Sequence, residues 1–162
     1  MEQREILFKA KTINEPIKWI EGSLLNTTIG FMIVTEENRL DGESFVELKN
    51  SIRFQCEAIR INPETICQFL NKKFIKGNPV YENDIGFIEY EEDYGDERMY
   101  VVATYIKELG IHAFLNSGEY LDYSDNGIKA LDQAFMNTYG LENSEKYHYA
   151  GNMIDNPKLI NP

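Results

Sequence analysis

Apolar and polar residues alternate loosely over Arg4–Ala10, and short runs of β-formers separated by polar turns dominate the first two thirds of the chain. Ile6 and Phe8 share one face of residues 4–10. In residues 17–25, Ile17, Trp19 and Glu21 fall on one side and Lys18 and Ile20 on the other. Gly22 within that strand predicts a bulge or a close backbone approach. Further strands are expected at 30–34, 45–48, 52–54, 66–70 and 85–90. Residues 100–106, Tyr-Val-Val-Ala-Thr-Tyr-Ile, form the strongest β-former run in the chain. Turns are signalled by Asn14-Glu15-Pro16, Asp41-Gly42 and Gly77-Asn78-Pro79, and Gly95 offers a hairpin loop. Asn71-Lys72-Lys73 reads as a polar link.

One stretch departs from that pattern. Ile128, Leu131, Phe135 and Tyr139 recur at helical spacing and predict a helix over about residues 125–139. Ser124 or Asp125 would cap its start, and Gly140 would take a left-handed C-terminal cap. Its apolar stripe is expected to face the core. A β-rich part over about residues 1–123, this helix, and a closing segment at 147–160 give a mainly β, α+β fold. A β-roll or barrel with an appended helix fits that order. The 162 residues suit one domain. Asn156-Pro157 and Asn161-Pro162 mark where the chain leaves regular structure.

Charge narrows the partners. Sixteen basic residues face 27 acidic ones, for a net charge of −11. Phosphate backbones and anionic membrane surfaces bind through Lys and Arg, so both are disfavoured as direct partners. The N-terminus, MEQREILFKAK, mixes charges without a long apolar run, and no window approaches 18 consecutive apolar residues. A cytoplasmic protein with reduced thiols at Cys56 and Cys67 is expected. His112 and His148 stand alone in the sequence, and neither cysteine has a CxxC partner. No cofactor or metal is therefore expected.

Candidate chemistry is sparse. The GxSxG, GxxxxGK[ST], GxGxxG and HExxH signatures are missing. A Cys–His pair could be assembled from Cys56 or Cys67 with His112 or His148, but nothing in the sequence lowers a thiol pKa. Glu82 and Asp84 would share one face of a strand, two residues apart. Acid–base work by such a pair needs a cleft that raises one pKa. The simpler reading has Glu82, Asn83 and Asp84 shaping a turn ahead of a strand. Six of nine positions from Glu89 to Glu97 are acidic, as in a solvated hairpin tip, and the D-x-[DN]-x-[DN]-G order of a calcium loop is absent. Aromatic residues are interleaved with acids, as in Glu89-Tyr90-Glu91, which suits core and interface roles.

Four blocks resemble a known family in its own order. They are REILFKAK from Arg4; IKWIEGSLL with Trp19 and Gly22; INPETICQFLNKKFIKGNPVYENDIGFIEY; and YHYAGNMIDNPKLI. The third block carries Pro63, Glu64, Thr65, Gln68, Gly77, Tyr81, Glu82, Asp84 and Ile85, and the fourth Gly151, Asn152, Asn156 and Pro157. Together they resemble the YopX family of phage and prophage proteins. Three departures stand out: Cys67 where a glycine is usual, Asn71-Lys72-Lys73 in place of a T-G-L-x-D pattern, and Asn83 in place of the glycine of YEGD. Asparagine tolerates positive φ, so the turn geometry is expected to survive. The resemblance implies an SH3-like barrel portion around VYENDI, structural roles for the motif positions, and a phage or prophage setting, but no reaction. The expected function is that of a non-enzymatic accessory protein that binds a protein partner or itself. The alternatives are an acidic mimic of nucleic acid that occupies a basic host protein, and a small hydrolase using carboxylates.

Overall fold

The computed structural model describes residues 6–35, 45–48, 51–54, 58–92, 95–131 and 140–162. The fold is mainly β, with antiparallel strands and one short α-helix among the described residues. Arg4, Cys56 and the Asp41-Gly42 turn lie outside those residues. The chain groups into two compact units, Met1–Gln68 and Phe69–Pro162.

In the first unit, β1 (Phe8–Lys11) pairs with β2 (Trp19–Thr27), and β2 pairs with β3 (Gly30–Val34). A hairpin of β4 (Phe45–Leu48) and β5 (Ser51–Phe54) follows, and then β6 (Ile59–Arg60) pairs with β3. The first residues of β7 (Cys67–Lys73) pair with β1, Phe8 opposite Gln68 and Lys9 opposite Cys67. Ala10, Ile20, Ile33 and Ile61 form the core, flanked by Phe8, Leu24, Phe31, Ile59 and Ile66. The expected turn at Asn14-Glu15-Pro16 is closed by Thr12 N–H donating to the Lys18 carbonyl at 3.0 Å and Lys18 N–H donating to Thr12 Oγ1 at 3.1 Å, so β2 starts at Trp19 and not at Ile17. Gly22 answers to a close approach, since a Cβ there would collide with the Val34 carbonyl.

The second unit begins within β7, which runs on through Asn71-Lys72-Lys73 instead of ending in a polar link. Asn71, at φ 55°, coincides with a register shift between the Phe69–Tyr81 and Lys73–Pro79 pairings to β8 (Pro79–Tyr81). The main sheet has the order β11 (Ile111–Asn116), β10 (Gly95–Ile106), β9 (Asp84–Glu92), β12 (His148–Asn152). Val101 and Ala103 of β10 pack with Phe74, Phe114 and Tyr147. Val102 packs with Ile85 and Ile160, and Ile106 with Ala113 and Leu115. A strand buried on both faces needs a continuous apolar run, which is why residues 100–106 stand out in the sequence. Gly86 lets Phe74 and Tyr147 close over β9, because a Cβ would lie 2.9 and 3.0 Å from their atoms.

The helix is displaced from its expected place. α1 spans Ser117–Asn126 and starts at a reciprocal cap: Asn116 Oδ1 accepts from Glu119 N–H, and Glu119 Oε2 from Asn116 N–H, both at 3.0 Å. Gly127, at φ 67°, ends it. Residues Gly127–Ala130 form a 3₁₀ turn and Leu131 is extended. Ile128 and Leu131 still pack on the Ile106–Leu115 cluster, because spacing i, i+3 serves a 3₁₀ turn as well as a helix. Residues 132–139 of the expected helix lie outside the described residues. Gly140 takes φ −56°, bridges Ala113 and opens the 3₁₀ turn Leu141–Lys146, so it is no left-handed cap.

Candidate functional site

The motif positions of the first unit build local structure. Lys9 and Lys11 ammonium groups stand 5.2 and 5.5 Å from the Trp19 ring centre. Asn62 caps the 3₁₀ turn Pro63–Thr65, its Oδ1 accepting from Glu64 N–H at 3.0 Å, with Pro63 at the first position. Buried Thr65 donates its hydroxyl to the Asn62 carbonyl and accepts from Lys11 N–H, both at 2.8 Å. The Cys67 thiol is buried and directed at the Thr65 carbonyl, 3.6 Å away.

In the second unit, Gly77 supplies φ 85° for a turn. The closing motif is another turn: Asn152 Oδ1 accepts from Ile154 and Asp155 N–H at 3.0 Å, and Asn156 Oδ1 accepts from Asn152 N–H at 3.3 Å. Gly151 leaves room for that Asn156 side chain, and Pro157 opens the 3₁₀ turn Pro157–Leu159.

Residues 81–84 form the turn on which the candidate site is built. Asp84 is fully buried, and its Oδ2 accepts from Tyr81 N–H at 2.8 Å. Tyr81 is itself buried, with its ring 5.5 Å from Phe69. Asn83 adopts φ 65°; its N–H donates to the Ala103 carbonyl and its carbonyl accepts from Met153 N–H, both at 2.8 Å. Ile85 then enters the core. Glu82 departs from this pattern and reaches His112, with Oε1 2.8 Å from Nε2. An ionised carboxylate only accepts, so Nε2 carries the hydrogen of this contact. Glu82 and Asp84 therefore do not converge as an acid–base pair: one is shut in the core, and the other holds a histidine.

Glu82 and Asn83 line a cleft of about 270 Å³ with Thr104 and Tyr105 of β10 and Tyr120, Tyr123 and Ser124 of α1. Tyr105 is 46% exposed and sits opposite His112 in the β10–β11 ladder, ring centres 4.9 Å apart. Thr104 is buried, its hydroxyl donating to the Val102 carbonyl at 3.1 Å. Tyr123 is held by its hydroxyl, which donates to Glu108 Oε2 at 2.8 Å and accepts from Lys107 N–H at 3.1 Å. Burial first, and then that bond to Glu108, pushes the Tyr123 phenol up. Glu108 is held below the carboxylate range first by its own backbone N–H and then by Tyr123. Burial alone pushes the Tyr120 phenol up. Three tyrosines and Glu82 are among the residues that line the cleft, and among the described residues no Lys or Arg lines it.

Of the residues singled out in the sequence, Glu82 lines this cleft together with Asn83, and the remaining described motif positions serve turns, pairings and packing. His112, which looks isolated in the sequence, meets a partner 30 residues away. His148 stacks on Phe87 with ring centres 5.2 Å apart. Tyr120 and Tyr123 at i, i+3 on one helix face were the available signal for the cleft wall. Among the described residues, no group of three or more His, Cys, Asp or Glu is gathered as a metal site. None of their helices is long and apolar enough to cross a membrane. Compared with known proteins, the chain matches no family model, no curated protein and no solved structure.

Proposed function

We propose that the chain is a non-enzymatic accessory protein that works by binding another protein, or itself. The observation that supports this reading is the tyrosine-lined cleft of the second unit. Tyrosine offers a large, stiff ring with a polar tip and is enriched where protein interfaces carry their binding energy. Asn83, Tyr123 and Glu82 are each tied to neighbouring groups, so a partner would meet a preformed surface. At about 270 Å³ the cleft falls below the roughly 300–1,000 Å³ usual for small-molecule sites, and it suits a single protein side chain. The net charge of −11 favours a basic partner over nucleic acid or an anionic membrane.

The setting rests on the four motif blocks. They support membership of the YopX family, a phage or prophage origin, action in the host cytoplasm, and an SH3-like barrel portion around residues 80–85. The mimic alternative needs its acids arrayed on one face. Glu89, one of those acids, is engaged by Arg98 at 2.9 Å, which favours the protein-binding reading.

Affinity capture from host cells that make the tagged chain, followed by rebinding with purified components, tests it. A protein recovered in stoichiometric amount that rebinds when pure is the expected result. Recovery of nothing above controls, together with a monomeric mass by light scattering, would sink the reading. Turnover of ester or glycoside substrates by the pure protein would replace it with an enzymatic one.

A further inference from the structure

We propose that the cleft between the 81–84 turn, β10 and α1 receives the guanidinium group of one arginine side chain from the partner. The inference deepens the protein-binding reading and rests on it only for where the arginine comes from. Three features of the cleft select this ligand. First, the sign favours a cation: among the described residues the lining includes Glu82 and neither Lys nor Arg, and behind it the Tyr123 hydroxyl is bonded to the Glu108 carboxylate and to the backbone N–H of Lys107. Second, Tyr105, Tyr120 and Tyr123 line it, and aromatic rings attract cations through their negative faces. Third, the volume of about 270 Å³ holds one long side chain and little more.

Arginine fits better than lysine for physical reasons. A guanidinium is planar, so it stacks on a ring while its edge offers paired N–H donors to a carboxylate. It is also less strongly hydrated than an ammonium, which matters in a cleft that is only partly enclosed. Glu82 is oriented for this task by His112, which itself lies against Tyr105. The Asn83 backbone is bonded on both sides, to Ala103 and to Met153, so the wall carrying Glu82 is fixed before the ligand arrives. Little ordering is left to oppose binding.

The test uses the full chain, labelled with nitrogen-15, and three probes: N-acetyl-arginine amide, its lysine counterpart, and its citrulline counterpart, which keeps arginine's shape without the charge. Saturable shifts confined to Asn83, Thr104, Tyr105, Tyr120, Tyr123 and Ser124 are expected with the arginine probe. Citrulline should bind at least about fivefold more weakly, and so should arginine to Glu82→Gln or Tyr105→Ala. Glu82→Gln keeps an acceptor for His112, and Tyr105 is half exposed, so the rest of each spectrum should match wild type. Equal binding of citrulline, an unchanged midpoint in Glu82→Gln, shifts scattered over the acidic surface, or no saturable shift would each overturn the proposal. Equal binding of the lysine probe would overturn the choice of arginine. A captured partner that binds Glu82→Gln as tightly as wild type would remove the cleft and leave protein binding standing.

Discussion

The turn at residues 62–65 in the first unit and the turn at 81–84 in the second use the same kinds of residue to different ends. In the first, Asn62 caps Glu64 N–H, and Thr65 spends its hydroxyl on the Asn62 carbonyl and Lys11 N–H. In the second, Asp84 holds Tyr81 N–H in the same way, but Glu82 reaches out of the turn to His112 and lines a cleft. A polar turn acquires a surface role when one of its side chains leaves the turn and meets groups from other elements. The motif alone does not say which turn will do so.

The largest loss is expected at Asp84. Asp84→Ala removes the acceptor of a buried N–H and opens a void at a fully buried position. A loss of about 3 kcal/mol is expected in urea unfolding. Thr65→Val is the matching change in the first unit, keeping the shape and deleting the hydroxyl. It should cost about 2 kcal/mol, since Lys11 N–H loses its acceptor in a part-buried site. It should leave the arginine titration of the cleft unchanged. A shifted titration midpoint in Thr65→Val would mean that the two turns are not independent in function.

A smaller effect sharpens the second turn alone. Asn83 holds φ 65°, where a residue with Cβ carries strain that asparagine bears better than most and glycine not at all. Asn83→Ala should cost about 1 kcal/mol, and Asn83→Gly should fall within a few tenths of wild type. Equal losses in both variants would assign the role of Asn83 to its side chain instead of its backbone.

How far the sequence discloses this molecule depends on whether a feature is local. The β10 run is legible because burial on both faces demands consecutive β-formers. The turn at 81–84 is legible because Asx residues ahead of a strand bond nearby backbone N–H groups. The helix is misplaced because Ile128 and Leu131 satisfy a 3₁₀ turn at the same spacing, whereas α1 has no fully buried residue and so no strong apolar stripe. Its start signal, Asn116 three residues before Glu119, was nonetheless present. The cleft is not legible, because Glu82, Tyr105, His112 and Tyr120 meet only through the β10–β11 register and the docking of α1. No periodicity joins such positions.

The capping box at Asn116 gives the smallest and most specific contrast with the cap at Asn62. Asn62 holds its turn from one side, through a group that does not titrate, whereas Asn116 shares its bonds with Glu119. Partial burial pushes the Glu119 carboxyl above the ordinary carboxylate range, opposed by the bond from Asn116 N–H. The folded chain thus takes up this proton at a higher pH than the unfolded chain does. As pH falls through the raised value, the folded state binds a proton that the unfolded state does not yet hold, so this group's contribution to stability rises with acidity. The gain is complete once pH lies below the unfolded value. Glu119→Gln keeps the acceptor for Asn116 N–H and removes the titration. The urea midpoint of wild type should therefore improve relative to Glu119→Gln between pH 7 and about pH 4. A flat difference would mean that the carboxyl at the head of α1 is as well solvated as in the unfolded chain, and a change of opposite sign would mean that the bond from Asn116 outweighs burial.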